Sequence, residues 1–337
     1  MKSLGVIILN WNGEDLLKKF IPSASEYTVS PEADLIVADN GSTDNSVKWL
    51  RENHPEVKLI LLDKNYGFSE GYNRAIREAE YEYVVLLNSD VEVTPDWWQP
   101  LLDFMRSNTN VGAVQPKILS YHDRNKFEYA GAAGGYLDSL GYPYCRGRLF
   151  DSIEEDRGQY DGAPVDITWA SGACLMTRRE LYLRLGGLDP RFFAHMEEID
   201  LCCRMLNAGY RICVLSDSSV YHVGGASLAQ GNPKKTYLNF RNNLLLLHKN
   251  LPRKKGKRKL FIRRVADSLA FIMFVVKMDF ANARAVIRAH NDFRKMKKEY
   301  TDFPDRDILS HLPGADKSAI LERYLKRKKV VIVKTDN

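Results

Sequence analysis

The chain has 337 residues, of which 45% are hydrophobic and 27% charged, and its formal net charge is +6. This composition excludes an intrinsically disordered chain, and the length allows one large domain or two. The positive charge is unevenly distributed, because residues 249–298 contain 16 Lys or Arg against 3 Asp or Glu. The remainder of the chain is therefore acidic, and the basic block needs its own explanation.

The sequence predicts a cytoplasmic protein. Five cysteines are an odd number and lack the spacing of a zinc site, which indicates reduced, buried thiols. The apolar run Leu4–Leu9 is too short for the core of a signal peptide, and Asn10 follows it directly. In the basic block the longest fully apolar run, Leu269–Val276, has 8 residues. A helix that crosses a bilayer needs about 20 apolar residues.

The first 118 residues alternate between strand and helix patterns. Strands are predicted at Leu4–Leu9, Asp34–Ala38, Val57–Leu62, Tyr83–Leu87 and Val111–Ile118. Helices are predicted between them, beginning at Glu14–Phe20 and continuing with Asn45–Asn53, Ser69–Ala79 and Asp96–Ser107. This βαβ rhythm predicts an α/β fold with a Rossmann-like, doubly wound and mostly parallel sheet.

Periodicity is lost between Ser120 and Asp166, a stretch rich in Gly, Tyr and Asp. It is predicted to be a long ordered loop or a hairpin excursion, and its aromatic residues argue against disorder. Regular patterns return with a strand at Trp169–Thr177, a helix at Arg179–Leu185, and strands at Arg211–Leu215 and Val220–His222.

Polar residues and glycines follow the first three strands where each strand ends: Asn10 and Asn12, then Asp39 and Asn40, then Asn65, Gly67 and Phe68. In a parallel sheet these turns meet at one edge, where ligands bind. A carboxylate such as that of Asp39 can accept hydrogen bonds from a pyrimidine or a ribose, and a helix start offers N–H groups to phosphate. The turns therefore predict a nucleotide site, although each alone could be turn chemistry. Neither a P-loop nor a G-x-G-x-x-G fingerprint is present.

The apolar run Val84–Leu87 ends abruptly in Asn88-Ser89-Asp90. A strand buried on both faces would deliver Asp90 to the same edge as the three turns. A hard divalent cation prefers carboxylate oxygens and bridges phosphates, and one imidazole is compatible with Mn²⁺ and tolerable for Mg²⁺. His222, at the end of a short apolar stretch, is the candidate imidazole, although a histidine in such a position can also be structural.

Two acidic residues, Glu197 and Glu198, begin a predicted helix. There they complement the helix dipole, and either could serve as a general base that takes a proton from a hydroxyl. Asp200 and Arg204 are four residues apart on the same helix, which predicts a structural ion pair.

Taken in order, these motifs resemble the family-two inverting glycosyltransferases, and within them the rhamnosyltransferase-like branch. The motifs are Asp39-Asn40-Gly41-Ser42-Thr43-Asp44, Asn65-x-Gly67-Phe68-x-x-Gly71-x-Asn73, Leu87-Asn88-Ser89-Asp90, Ser171-Gly172-Ala173, Glu197-Glu198-x-Asp200-Leu201 and His222-x-x-Gly225. The resemblance covers about residues 3–250. It implies a GT-A fold, a nucleotide-diphosphate-sugar donor and a divalent metal, Mg²⁺ or Mn²⁺.

The resemblance also implies roles for single residues. Asp39 matches the position that contacts the nucleobase, and Asp90 matches the last carboxylate of the Asp-x-Asp metal motif. His222 matches a late metal ligand. Glu198 matches the base, usually Asp in the family, with Glu197 as the alternative. The donor-binding residues implied are Asn10, Asn12, Asp39, Asn40, Asn65, Gly67, Phe68, Asn73, Asn88, Ser89, Gly172 and Ala173. Asn88 stands where the family usually has the first Asp.

The implied reaction transfers a sugar, with inversion, from a donor such as dTDP-rhamnose or a UDP-sugar to a hydroxyl of a glycan or lipid-linked acceptor in cell-surface polysaccharide synthesis. Residues 1–250 would form the catalytic domain, with a nucleotide-sugar half at about 1–118 and an acceptor half at 119–250. Residues 251–337 would form a basic helical extension.

Two other interpretations remain open. A sugar nucleotidyltransferase would usually carry a Gly-rich, basic loop near its N-terminus, which Trp11-Asn12-Gly13-Glu14 does not provide. A non-catalytic binding protein of the same fold would tolerate the loss of Asp90, Glu198 or His222, yet all three are present.

After the basic run, one helical stripe is apolar, formed by Val265, Leu269, Ile272, Val276 and Phe280. The helix could pack on the catalytic domain with its basic face in solvent. It could instead attach the protein peripherally to an anionic membrane surface, at the inner face of the plasma membrane. No nucleic-acid recognition module is visible, so nucleic acid is not a predicted partner.

Overall fold

A computed structural model describes residues 2–224, 231–310, 312, 314–316 and 318–319. Gly225, the last residue of the His222 motif, lies outside the described residues. So do most residues of the predicted extension beyond residue 310.

Strands and helices largely alternate up to Ser120, after which a run of strands is followed mainly by helices. The strands are β1 (Leu4–Asn10), β2 (Ala33–Asn40), β3 (Lys58–Leu62), β4 (Tyr83–Leu87), β5 (Val91–Val93), β6 (Val111–Ser120), β7 (Gly135–Leu137), β8 (Pro143–Cys145), β9 (Arg148–Leu149), β10 (Ser152–Ile153), β11 (Val165–Ile167), β12 (Cys174–Arg178) and β13 (Arg211–His222). The helices are α1 (Glu14–Thr28), α2 (Ser46–Asn53), α3 (Gly67–Glu78), α4 (Gln99–Ser107), α5 (Arg179–Arg184), α6 (Glu197–Asn207), α7 (Pro233–Asn250), α8 (Arg253–Val276) and α9 (Phe280–Met296).

The central sheet has the strand order β3-β2-β1-β4-β12-β6-β13-β11, and β5 pairs with β13. The β3-β2-β1-β4 half is parallel. Strand β12 runs antiparallel between β4 and β6, and β5 and β11 are antiparallel to β13, so the sheet is mixed. The predicted α/β class and the helical C-terminal region are confirmed. The division at residue 250 stays a prediction.

Strand β4 is buried along its whole length because helices cover both faces of the sheet. Val84 and Leu86 enter the core on one face, whereas Tyr83, Val85 and Leu87 enter the core on the other. The alternation follows from the two-residue period of a strand. Full burial of each such side chain stabilises the fold by about 1.5–3 kcal/mol. Polar side chains therefore reach the edge of the sheet only after β4 ends.

The stretch from Ser120 to Asp166 contains a small antiparallel sheet with the order β10-β9-β8-β7, which is the hairpin alternative predicted from the sequence. Tyr136 stacks on Tyr144 with ring centroids 5.6 Å apart. The Trp169 indole N–H donates to the Tyr136 carbonyl over 3.0 Å. A Cβ at Gly135 would stand 2.1 Å from the Trp169 ring, so glycine is required there. Aromatic packing thus fixes this excursion against the main sheet.

A buried ionic network joins α6 to the end of α7. Lys249 Nζ donates to Asp200 Oδ2 and to Asp189 Oδ2, each over 2.8 Å. Arg204 Nε and Asn250 Nδ2 complete the shell of Asp200 at 2.9 and 2.8 Å. Burial alone would raise the pKa of Asp200, but the charges of Arg204 and Lys249 outweigh it and lower the pKa.

We expect Lys249→Met to lower the free energy of unfolding by up to about 3–5 kcal/mol, because it removes the one cation that two buried carboxylates share. Because the pKa of Asp200 is lowered in the folded protein, this stabilisation is complete above the pKa of an unfolded aspartate. It is lost as pH falls below that value. Urea unfolding of both proteins, repeated at acid pH, measures the difference. Lys18→Met, which removes an exposed helical pair with Glu14, should cost far less, because solvent screens an exposed pair. Equal costs for the two variants would contradict the buried network.

Candidate active site

The turns after β1 and β2 interlock at one edge of the sheet. Asn10 Nδ2 donates to Asp39 Oδ1 over 3.0 Å, and the Ser42 backbone N–H donates to Asp39 Oδ2 over 2.9 Å. The Thr43 N–H donates to Asn12 Oδ1 over 2.7 Å. Asn10 Oδ1 is buried and finds no hydrogen-bond partner among the described residues. This unsatisfied acceptor points to a ligand donor such as a nucleobase N–H.

The third turn joins the same edge through Asn40. Its Nδ2 donates to Asn65 Oδ1 and to the Gly67 carbonyl, each over 3.1 Å, and its Oδ1 accepts from the Tyr66 N–H over 2.9 Å. Gly67 has φ +77°, a conformation that other residues rarely adopt, at the start of α3. The three turns predicted to converge are therefore in contact. Phe68 packs edge-on against Tyr72, with centroids 5.0 Å apart.

Asn73 occupies a different position from the one predicted. It is buried, its Nδ2 donates to the Leu188 carbonyl over 2.8 Å, and its Oδ1 accepts from the Leu188 N–H over 2.9 Å. The Tyr182 hydroxyl also donates to Asn73 Oδ1. These bonds occupy the amide, so Asn73 holds the loop after α5 and does not face a donor.

Asp90 and His222 lie side by side because β5 and β13 are paired, with His222 opposite Val91. His222 Nε2 is 3.1 Å from Asp90 Oδ1, and both side chains are buried. Asn88 Nδ2 lies 3.4 Å from the same ring nitrogen. Ser89 is half-buried in the turn between Asn88 and Asp90. Polar residues at the end of β4 thus meet the end of β13.

The structure adds Glu128, which the sequence did not indicate because it lies in the aperiodic stretch. Its Oε2 is 3.5 Å from His222 Nδ1, and it is buried. Burial lowers the pKa of His222, but the carboxylates of Asp90 and Glu128 outweigh burial and raise the pKa to about 10. Burial likewise raises the pKa of Asp90, and the hydrogen bond and charge of His222 reverse this and lower it.

Asp90 and His222 would fit a hard divalent cation if His222 Nε2 gave up its proton to solvent when the metal entered between them. Among the described residues no group of three or more His, Cys, Asp and Glu could hold a metal ion. A metal would therefore have two protein ligands here, an arrangement that Mg²⁺ and Mn²⁺ accept when phosphate oxygens and water complete the shell. Glu128 on the second nitrogen of His222 is the outer carboxylate that commonly orients a metal-binding imidazole.

The residues just before β12 lie between the Asp90–His222 pair and the start of α6. Because β12 is antiparallel to β4, Cys174 lies opposite Leu87, and the Asn88 N–H donates to the Ala173 carbonyl over 3.0 Å. A Cβ at Gly172 would lie 3.7 Å from Cβ and Cγ of Glu198. Asn88, Ala173, Gly172 and Glu198 therefore form one continuous wall.

Glu197 and Glu198 begin α6, Glu197 buried and Glu198 half-buried. In both, Oε2 is buried without a hydrogen-bond partner among the described residues. Burial and the charge of Glu198 raise the pKa of Glu197 well above its usual value, and burial raises the pKa of Glu198 to about 7. Of the two carboxylates, Glu198 is the one beside Gly172 and the more exposed, so the geometry favours it over Glu197 as a base.

The loop that leads into α6 is strained and is held by α7. Phe193, His195 and Met196 all have positive φ, between +68° and +73°. Asn242 Nδ2 donates to the carbonyls of Phe192, Ala194 and His195 over 2.7–2.9 Å. Holding non-glycine residues in such conformations costs about 1–3 kcal/mol each, so the bonds from Asn242 fix where the two glutamates point. The sequence carries no signal for this role.

We expect Asn242→Ala to lower kcat about 10- to 100-fold, because a base displaced by a fraction of an ångström no longer reaches its proton. The KM for the donor should change little, since Asn242 is not at the sheet edge where the turns after β1, β2 and β3 meet. Steady-state kinetics separates the two effects. Asn53→Ala removes a comparable bond to the Trp49 carbonyl on an exposed helix and should leave kcat unchanged. A loss confined to donor affinity would contradict the positioning role.

Comparisons with known proteins identify relatives of this chain. The sequence model of the family described as Glycosyl transferase family 2 matches residues 5–186, more than half of the chain. The chain is 28% identical over 237 residues to the N-acetylglucosaminyl-diphospho-decaprenol L-rhamnosyltransferase of Mycobacterium tuberculosis. The alignment covers 65% of this chain and 75% of that protein.

Solved structures show the same fold. S. aureus TarS 1–349 in complex with UDP-GlcNAc matches with a TM-score of 0.58 at 18% identity, covering 86% of this chain and 80% of that one. The mannosyltransferase PcManGT from Pyrobaculum calidifontis, in complex with GDP-Man and Mn²⁺, matches with a TM-score of 0.53 at 16% identity, covering 87% of both chains. The chain therefore belongs to glycosyl transferase family 2 and is a glycosyltransferase with a GT-A fold.

Proposed function

We propose that the protein transfers a sugar, with inversion, from a nucleotide-diphosphate donor to a hydroxyl of a glycan or lipid-linked acceptor. One observation carries this proposal. The half-buried carboxylate of Glu198, with a raised pKa, stands beside Gly172 on the wall that also holds Asn88 and adjoins Asp90. An inverting displacement requires a base for the attacking hydroxyl and, on the opposite side of the sugar, a cation site for the leaving diphosphate.

The donor would lie along the edge built by the three interlocked turns. Asp39 and the unsatisfied Asn10 Oδ1 would receive the nucleobase, with Asn12, Asn40, Asn65, Gly67 and Phe68 shaping the turns around it. Asn88, Ser89, Gly172 and Ala173 would line the sugar, where small residues leave room. Asn73 is not part of this donor site.

Asp90 and His222 would hold Mg²⁺ or Mn²⁺, which when bound neutralises charge on the diphosphate leaving group. Glu198 would accept the proton of the acceptor hydroxyl as that oxygen attacks the anomeric carbon from the face opposite the diphosphate. Glu197 would remain protonated, so the base would not face a second negative charge. No second catalytic carboxylate is needed, because the leaving diphosphate requires no proton from the protein.

The donor and acceptor are further parts of the proposal. The M. tuberculosis relative is named as a rhamnosyltransferase acting on a diphospho-decaprenol lipid, which favours a dTDP-rhamnose donor over a UDP-sugar and a lipid-linked acceptor here. A lipid-linked acceptor would place the enzyme at the cytoplasmic face of a membrane, held peripherally. No helix among the described residues is long and apolar enough to span a bilayer.

A panel of nucleotide sugars, each with Mg²⁺ or Mn²⁺, tests the proposal by thermal shift. We expect one donor, dTDP-rhamnose first, to raise Tm only when the metal is present. NMR of the product should show an anomeric configuration opposite to that of the donor. Retention of configuration would contradict the role of Glu198. Pyrophosphate release from a sugar phosphate and a nucleoside triphosphate would favour the nucleotidyltransferase instead.

A further inference from the structure

Helix α8 buries polar side chains and exposes apolar ones, which is the opposite of the usual arrangement. Its described buried side chains include Arg263 and Asp267, each about 1% exposed. The apolar stripe predicted from the sequence is exposed. On α8 its members Val265, Leu269, Ile272 and Val276 are 53–76% exposed, and Phe280, which the structure places at the start of α9, is 53% exposed. The sequence leaves open whether this helix packs on the catalytic domain or attaches to a membrane; its contacts with the rest of the protein include those of Arg263 and Asp267, whereas the apolar stripe stays exposed.

The buried polar face explains this orientation. Arg263 lies over the Tyr142 ring, 3.7 Å from guanidinium carbon to ring centroid, and donates to Asn243 Oδ1 on α7. Asp267 Oδ2 is 3.0 Å from Nε2 of His290 on α9. Buried charges with specific partners fix one rotation of a helix, because any other rotation would leave them unpaired. The outward apolar face is thus imposed by the fold.

The outward face also carries charge. Lys254 and Arg258 stand four residues apart and precede Val265, Leu269 and Ile272 at intervals of seven, four and three residues, which puts all five on one side of the helix. Arg258 and Leu269 are about 16 Å apart along the axis. The first turns of this face are basic and the later turns are apolar.

A basic cavity adjoins the first turns of α8. It has a volume of about 500 Å³, and its lining includes Arg253 and Lys257 from α8 with Lys297 and Lys298 from the turn that follows α9. The lining contains no Asp or Glu. Among the described residues no carboxylate forms an ion pair with Arg253, Lys257 or Lys298. Such a cavity suits a phosphate group.

We propose that the outward face of α8 is a docking surface for an anionic phospholipid bilayer. The stripe from Val265 to Val276 would enter the acyl boundary, and the basic cavity would take a lipid phosphate. An apolar stripe alone would suit a second copy of the chain equally well. The exposed cations Lys254 and Arg258 on the same face favour lipid, because two copies would bring like charges together. The proposal rests on the membrane attachment in the proposed function and supplies its surface.

Co-sedimentation of the full chain with vesicles tests this surface. We expect binding to phosphatidylcholine vesicles that contain about 30% phosphatidylglycerol, weakened by salt, and at least tenfold weaker binding to phosphatidylcholine alone. The double variant Leu269→Asp with Ile272→Asp should lose at least about tenfold in binding. Lys257→Glu with Lys298→Glu should abolish the preference for the anionic vesicles.

The matched control is Leu61→Asp with Ile153→Asp, which changes two exposed apolar residues elsewhere and should leave vesicle binding intact. Three results would overturn the proposal: equal binding of wild type and the Leu269/Ile272 variant, a concentration-dependent dimer that this variant dissociates without any vesicle binding, or a large fall in its Tm. The last would show that the chain itself covers the stripe. Donor binding with metal, measured by thermal shift, should be unchanged in the variant, so failure here is distinguishable from failure of the transferase proposal.

Discussion

Glu198→Gln is expected to lower the rate of sugar transfer about 10²- to 10⁴-fold while donor binding persists. The amide cannot accept the acceptor proton, but it keeps the size and contacts of the carboxylate beside Gly172. Transfer rates with a fixed acceptor, and donor binding measured by thermal shift with Mg²⁺ or Mn²⁺, check the two halves of the prediction. The variant should be at least as stable as the wild type, since it removes a charge whose raised pKa shows that burial disfavours it.

Glu197→Gln is the matched control, the same change one residue away. It should retain most activity, because Glu198 is the side chain beside Gly172, whereas Glu197 is buried and burial disfavours its charged form. The wild-type kcat/KM should rise with pH through about 7, as Glu198 loses its proton and becomes a base. Below that pH the protonated acid is inactive. If Glu197→Gln loses transfer and Glu198→Gln does not, the base is Glu197.

Much of this site could be predicted because strand ends are visible in a sequence. Apolar runs fix β1, β2 and β4, and parallel pairing brings Asn10, Asp39 and Asp90 to one edge. Asn73 could not be placed in the same way. It lies within α3, beyond the turn that follows β3. Only the folded chain shows that the backbone of Leu188 occupies its amide.

The residues that the sequence missed act across long separations. Glu128 reaches His222 from the aperiodic excursion, and Asn242 reaches a loop about fifty residues earlier. No local pattern marks such contacts, since they depend on how the excursion and α7 pack against the sheet.

Helix α8 shows a further limit of periodicity. The spacing of Val265, Leu269 and Ile272 correctly defines one face, but spacing alone does not say whether that face turns inward. Arg263 and Asp267 decide the matter through partners on three other segments.

Asp90→Asn is expected to lower kcat/KM at least about a hundredfold and to remove the dependence of donor binding on metal. An amide is a weaker ligand than a carboxylate for a hard cation, and a bound metal stabilises the leaving diphosphate by several kcal/mol. With Asn88 beside it in place of a second carboxylate, the cation would have Asp90 and His222 alone as protein ligands. Thermal shift with the donor, in the presence and absence of Mn²⁺, measures the coupling.

Glu92→Gln provides the control, because it makes the corresponding change two residues along the chain in a pair with the exposed Arg124. That surface pair contributes less than about 1 kcal/mol, so activity and metal dependence should be unchanged. The Asp90 variant should also separate metal from base. Its residual transfer should still rise with pH as Glu198 ionises, whereas the residual activity of Glu198→Gln should lose that rise. Full activity of Asp90→Asn in the absence of metal would show that the acidic end of β4 orients His222 and Asn88 without holding a cation.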